Sequence, residues 1–257
     1  MPGARVIARL DIKGPRVVKG IRFEGLRVVG DPNELAKGYY DEGADEIIYI
    51  DTVASLYGRN SLDTIISEAV REIFIPITVG GGIRSVDDAR GLLRIGADKI
   101  AVNTEALKRP GLITELSRAL GSQCVVASIQ AKRRANGWEA YADYGREHTG
   151  IDALEWARKV ESLGAGEILL SSVDMDGTGQ GYDVELIRSV AENAGIPVIA
   201  SGGMGSPMHC LEAIRSGADA VALASSLHYK KAGLNEIRAC LMDAGISVRQ
   251  WEERSLS

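Results

Sequence analysis

Short runs of aliphatic and β-branched residues alternate along this chain with longer segments in which apolar residues recur every three or four positions. A brief unbroken apolar run fits a strand buried on both faces, and the three-to-four spacing fits one face of a helix. Read this way, strands fall at Val6–Leu10, Glu46–Ile50, Ile77–Val79, Lys99–Val102, Cys124–Ile129, Glu167–Leu170, Val198–Ala200 and Ala220–Leu223. Helices are expected at Asn33–Glu42, Leu62–Glu72, Val86–Ile95, Gly111–Leu120, Ala153–Leu163, Val184–Ala194, Met208–Ser216 and Leu234–Ala244. Acid or hydroxyl residues stand before several of these helices, at Asp31, Ser85, Asp152 and Asp183, and glycines follow several, at Gly43, Gly96, Gly164 and Gly217. A side-chain oxygen at the start accepts from the unpaired first-turn N–H groups, and glycine takes the left-handed backbone that ends a helix. Successive strand and helix units predict a parallel sheet covered by helices.

The two halves of the chain also resemble each other. The segment IPITVGGGIRSVDDARGLLRIGADKIAVNT from Ile75 aligns without gaps on IPVIASGGMGSPMHCLEAIRSGADAVALAS from Ile196, 121 residues later. Asp31 falls on Asp152 and the glycine of GADEI at Gly43 on that of GAGEI at Gly164 at the same spacing, while IARLDIK from Ile7 meets VASIQAK from Val126 at 119. Two homologous (βα)4 halves closing on each other make an eight-stranded (βα)8 TIM barrel, whereas an open doubly wound sheet gives no reason for the repeat. No composition shift marks a boundary, so residues 1–249 are expected to form one barrel domain, with 250–257 as a C-terminal tail. Residues 11–30 and 131–150 are long, polar and glycine-bearing, and each follows the strand that opens one half. They are expected to be functional loops.

Composition narrows the possibilities. With 45% hydrophobic and 25% charged residues the 257-residue chain is ordinary globular protein, which excludes disorder. Thirty Lys+Arg against 35 Asp+Glu leaves a net charge of −5, without the basic excess of a general nucleic-acid binder. Cys124, Cys210 and Cys240 form no CxxC pair and fit a reduced, cytoplasmic protein. No run approaches the ~20 apolar residues of a membrane span, and arginines interrupt the apolar stretches of the N-terminus. The loop SVDMDGTGQGYD lacks the acids a calcium loop requires, so no metal or redox cofactor is expected.

In a barrel of this kind the chemistry lies at the C-terminal ends of the strands. Gly80-Gly81-Gly82 follows the third strand and Gly202-Gly203 the seventh; Asn103-Thr104 ends the fourth and Ala224-Ser225 the eighth. Glycines let backbone N–H groups face an anion, and a following helix start adds a favourable dipole. One glycine pair would equally serve a tight turn, but the duplication suggests two phosphate cradles: Gly82, Asn103 and Thr104 in one half, Gly203, Ala224 and Ser225 in the other. Two cradles imply a ligand with a phosphate at each end. Asp11, at the top of the first strand, is the candidate for proton transfer. Its partner through the repeat is Gln130, whose amide cannot exchange protons as a carboxyl group does. Lys19, Asp51, Ser171, Asp176 and Gly177 complete the rim. At the opposite end Arg5, Glu46, Lys99 and Glu167 alternate in sign. They make either a salt-bridged ring that closes or gates the barrel floor, or separate exposed charges.

The motifs RLDIKGPRVVKG, GDPNELAKGYYDEGADEIIYID, FIPITVGGGIRSVDDAR, GADKIAVNT, TGIDALEWARKVESLGAGEILLSSVDMDGTGQGYD and IPVIASGG together resemble the cyclase subunit of imidazole glycerol phosphate synthase, over essentially residues 4–249. The resemblance implies a (βα)8 barrel that binds a bisphosphate aminoimidazole carboxamide ribonucleotide and takes ammonia from a glutaminase partner docked at the N-terminal face. It implies release of imidazole glycerol phosphate and an aminoimidazole ribotide. By the same resemblance Asp11 is one of two catalytic carboxylates and Lys19 belongs to a loop covering the substrate. Asp51, Asn103, Thr104, Ser171, Asp176 and Ser201 line the site, and Arg5, Glu46, Lys99 and Glu167 gate an ammonia route. Two positions depart from the pattern: the second catalytic aspartate falls on Gln130, and Arg9 replaces the usual cysteine. Arg9 is expected to hold Asp11 ionised. These departures leave two other readings beside the cyclase: a divergent paralogue delivering ammonia to another acceptor, such as a surface-glycan sugar, and a non-catalytic phosphate-binding scaffold subunit. The related single-chain isomerase shares the duplicated barrel but uses no ammonia and would not need the gate.

Overall fold

The expected strands close into a ring. In the computed structural model, which describes residues 3–54 and 62–251, the strands in chain order are β1 (Arg5–Lys13), the hairpin β2 (Arg16–Ile21) and β3 (Glu24–Gly30), β4 (Glu46–Asp51), β5 (Ile77–Gly80), β6 (Lys99–Val102), β7 (Val125–Arg134), the hairpin β8 (Gly137–Ala142) and β9 (Glu147–Asp152), β10 (Glu167–Ser172), β11 (Val198–Ser201) and β12 (Ala220–Leu223). Strands β1, β4, β5, β6, β7, β10, β11 and β12 pair in parallel, each with the next, and β12 returns to β1. This is the (βα)8 barrel. The expected helices cover it at Pro32–Asp41, Asp63–Ala69, Val86–Ile95, Gly111–Leu120, Ala153–Ser162, Val184–Ala191, Pro207–Arg215 and Leu234–Asp243. Asp31, Ser85, Asp152 and Asp183 all accept hydrogen bonds from first-turn backbone N–H groups.

Alternation along each strand sorts the core into two. Val6, Ala8 and Leu10 of β1, with Ile47 and Tyr49 of β4, pack outward among the helices. Their neighbours Ile7, Ile48, Val126, Leu169, Ile199, Ala220 and Ala222 form a separate apolar layer inside the barrel. Ile7 is fully buried there, and trimming such a side chain to alanine costs about 2–5 kcal/mol. The inward positions above this layer, Arg9, Asp11, Gln130, Ser171 and Ser201, are polar and buried, and they build the site.

The internal repeat survives at atomic detail. Asp98 accepts from the Ile77 N–H at 2.8 Å and Asp219, its counterpart, from the Val198 N–H at 2.9 Å. The long polar segments differ from expectation: 11–30 and 131–150 are largely the β2–β3 and β8–β9 hairpins, which extend β1 and β7 antiparallel beyond the barrel rim. Within 250–257, Trp251 packs against Gly43, where an added Cβ would lie 2.4 Å from the indole. The cysteines are free thiols, Cys210 buried and the other two half-buried. Among the described residues no helix is long and apolar enough to cross a membrane.

Candidate active site

The two cradles are built alike. Asn103 and Ala224 share an unusual backbone, φ −133° and ψ −86° in one, φ −133° and ψ −84° in the other. Each leads directly into a short helix, Thr104–Lys108 or Ser225–His228, that the hydrophobic pattern had not predicted. Beside them Gly81 and Gly202 adopt φ of +107° and +93°, and an added Cβ would strike the Asp51 carbonyl at 2.6 Å or the Ser172 carbonyl at 2.7 Å. Only glycine fits both the angle and the space. The turn leaves Gly82 or Gly203 facing a cavity.

Those cavities are unequal. The first, about 140 Å³, is lined by Asp51, Gly82, Asn103, Thr104, Gln130 and also Tyr144. The second, about 20 Å³, is lined by Lys19, Asp176, Gly177, Ser201, Gly203, Ala224 and Ser225. The sequence-derived residues thus separate into two sites, with Gln130 of the second half lining the first and Lys19 of the first half lining the second; Ser171 is reached by Arg9.

Between the cavities runs a buried chain of charge. Arg9 donates from Nε to Asp11 Oδ1 at 2.9 Å and from Nη1 to the hydroxyls of Ser171 and Ser201 at 2.8 and 3.0 Å. Lys19, reaching in from β2, donates to Asp11 Oδ2 at 3.0 Å and to both oxygens of Asp176 at 2.9 and 2.8 Å. Burial alone would push the Asp11 carboxyl up, but the Arg9 guanidinium and the Lys19 ammonium together hold it well below the usual carboxylate range. Burial pulls both cations down and the carboxylates more than restore them. Asp11 is therefore an ionised carboxylate at neutral pH.

The hairpins close over this network. Phe23 stacks on Tyr144 with centroids 4.2 Å apart, joining the two hairpin tips, and its ring lies 5.6 Å from Arg9 and 5.7 Å from Lys19. Arg22, Phe23, Asp143 and Tyr144 all have positive φ, a conformation that costs non-glycine residues about 1–3 kcal/mol each. Packing around Phe23 and Tyr144, joined by Val173 and Leu26, offsets that cost. The Arg22 N–H donates to the Asp176 carbonyl at 2.8 Å, so the tip of the first hairpin is tied to the loop after β10. Phe23 and Tyr144 escaped sequence reasoning because Phe23 is a lone aromatic in a polar segment and nothing local sets Tyr144 apart from Trp138 and Tyr141 beside it.

At the floor, Arg5 donates to Glu46 at 3.0 Å and also pairs with Glu167, while Lys99 reaches Glu46 and Glu167 at 2.9 Å each. The four charges form a closed ring rather than separate rim charges. Glu46 also accepts from the Thr78 hydroxyl.

The family model described as "Histidine biosynthesis protein" matches residues 5–233. Curated relatives named "Imidazole glycerol phosphate synthase subunit HisF" are 63% identical over 206 residues in Legionella pneumophila (80% of this chain, 97% of that protein) and 50% identical over 249 residues in Pyrococcus furiosus (97% and 99%). A third, from Thermococcus gammatolerans, is 49% identical over 249 residues. The chain belongs to the HisF family. Every HisF relative named here carries the synthase name, which lends no support to the paralogue with another acceptor. Within the HisF barrel the present chain keeps Asp11 and Lys19 in direct contact and buries both Arg9 and Gln130.

Proposed function

We propose that this chain is the ammonia-using cyclase and lyase subunit of an imidazole glycerol phosphate synthase. It holds a bisphosphate aminoimidazole carboxamide ribonucleotide between its two cradles and, with ammonia, converts it to imidazole glycerol phosphate and an aminoimidazole ribotide. The observation that carries this reading is the duplicated cradle, a glycine turn beside a helix entry of matching backbone at Asn103 and again at Ala224, with a buried charge network between them. One doubly phosphorylated molecule satisfies both at once. The second cavity, at about 20 Å³, has room for little more than a water, so the β2–β3 hairpin must lift Lys19 away for the phosphate to enter.

Ammonia comes from a glutaminase subunit seated on the barrel floor. That face carries a concavity of about 470 Å³ whose lining includes Arg5, Asp45, Phe74, Pro76 and Arg249, and the Phe74 ring is 75% exposed. An exposed aromatic beside a charged rim is the composition of a protein interface core. The Arg5–Glu46–Lys99–Glu167 ring lies at the centre of this face as the gate, and the apolar layer above it favours neutral ammonia over ammonium.

In the site Asp11, ionised and oriented by Arg9 and Lys19, accepts a proton or stabilises developing positive charge. Gln130 contributes no proton, and loss of one general acid or base costs about 10²- to 10⁴-fold in rate. The test is to supply the ribonucleotide with ammonium salt and follow its loss, for the native chain and for Gln130→Asp. Slow turnover by the native chain, faster with Gln130→Asp, is expected. Turnover by neither overturns the proposal, and turnover by Gln130→Asp alone would mean that the native chain serves another acceptor.

A further inference from the structure

Gln130 lines the larger of the two cradle cavities. Its carboxamide oxygen is fully enclosed and meets no hydrogen-bond donor among the described residues, and the residue is 6% exposed. An amide oxygen buried without a partner is costly, so a side chain kept in this state is completed by what enters the cavity. Two other groups of the same cavity are also unpartnered. Asn103 is oriented by its Nδ2, which donates to the Tyr141 carbonyl at 3.2 Å, and this leaves Oδ1 free. The Tyr144 hydroxyl lies beside Asp11 without a hydrogen bond of good geometry, and burial followed by the Asp11 charge keeps it protonated.

The cavity is therefore polarised. Its outer wall, with Gly82, Thr104 and the exposed Lys108, offers N–H donors and positive charge, which suits a phosphate. Its inner wall offers amide oxygens and a phenol, which a phosphate does not suit. A group carrying both N–H and C=O in one plane fits there, because two carboxamides pair side by side with one donor and one acceptor each. Arg9 removes the competing explanation: Asp11 is engaged by two cations and has no proton to share with position 130.

We infer that Gln130 is a specificity-determining residue that reads the planar carboxamide of the ligand, in place of a proton-transfer role. This rests on the substrate reading proposed above. The test is calorimetric titration of the native chain and of Gln130→Met with two ligands, the bisphosphate carboxamide ribonucleotide and its counterpart with hydrogen in place of the carboxamide. The native chain is expected to bind the carboxamide ligand about 10-fold or more tightly than its counterpart, and Gln130→Met to lose the preference while binding the counterpart as before. Gln130→Glu, which keeps the shape and one acceptor but loses the donor, is expected to fall between them. In turnover, Gln130→Asp is expected to raise KM while raising kcat. Equal binding of both ligands by the native chain, or a preference retained by Gln130→Met, overturns the inference and leaves the substrate reading standing. Binding of neither ligand overturns the substrate reading itself, and the inference with it.

Discussion

Arg9→Met takes a buried cation from a buried carboxylate, and its cost can be worked from the contacts. Arg9 and Asp11 are 3% and 0% exposed, so neither gains water when its partner is lost. Breaking such a pair costs about 3–5 kcal/mol. Lys19 stays on Asp11 at 3.0 Å, which places Arg9→Met near the lower end, at about 3 kcal/mol, with Ser171 and Ser201 losing their donor as well. Asp11→Asn leaves Lys19 with Asp176 and Arg9 with two hydroxyls, for a similar loss. The double variant removes both charges, so its cost falls short of the sum by about 1–3 kcal/mol. Urea unfolding followed by tryptophan fluorescence measures this cycle. The folded-state pKa of Asp11 is depressed, so its contribution is complete above the unfolded value of about 3.9 and is lost only as pH falls through the folded value. The coupling is therefore expected to be equal at pH 7 and pH 5. The half-exposed pair Lys37–Asp41 serves as the comparison, with an expected coupling of about 0–1 kcal/mol. Additive costs for Arg9→Met and Asp11→Asn would refute the charge network as the organising feature of the site.

Two further outcomes follow from single positions. Burial, and then the charge of Lys19, pushes the His228 imidazole down to about 4, whereas the unfolded chain takes up that proton near 6.5. Stability is then expected to fall by up to about 3 kcal/mol as pH drops from 6.5 to 4, and His228→Gln, measured by denaturant titration across that window, to flatten the slope. Gly177 has φ +72°, and an added Cβ would lie 2.3 Å from the Gly20 carbonyl. Gly177→Ala is expected to hold the β2–β3 hairpin off the second cradle, lowering stability by about 1–3 kcal/mol and raising KM for the ribonucleotide; an unchanged KM would separate hairpin seating from binding.

How much of this was legible in the chain depends on the range of the forces involved. Asp31, Ser85, Asp152 and Asp183 cap helices through contacts within three residues, so their role is visible locally. The barrel strands were legible as apolar runs and their closure as a repeat, and the repeat also located both cradles. The hairpins were read as loops because β2 and β3 are short and interrupted by glycines and by the charges of Arg16, Lys19, Glu24 and Arg27. Their turn, Arg22-Phe23, lacks the Asn-Gly or Asp-Gly signal of a tight hairpin. What fixes it is Tyr144, more than 120 residues away in the chain. The charge pattern proposed a ring at Arg5, Glu46, Lys99 and Glu167, and the structure closes it. Arg9 beside Asp11 was legible from sequence separation along a strand; its bonds to Ser171 and Ser201 required the barrel to close. The enclosed carboxamide oxygen of Gln130 was invisible, since a missing partner leaves no mark on a sequence.

Whether one molecule is gripped by both cradles is read out by ³¹P NMR of the bisphosphate ribonucleotide titrated with the chain. One ligand per chain is expected, with both phosphorus resonances shifted, Gly82→Val abolishing one shift and Gly203→Val the other. A single shifted resonance, or two ligands bound per chain, would contradict it.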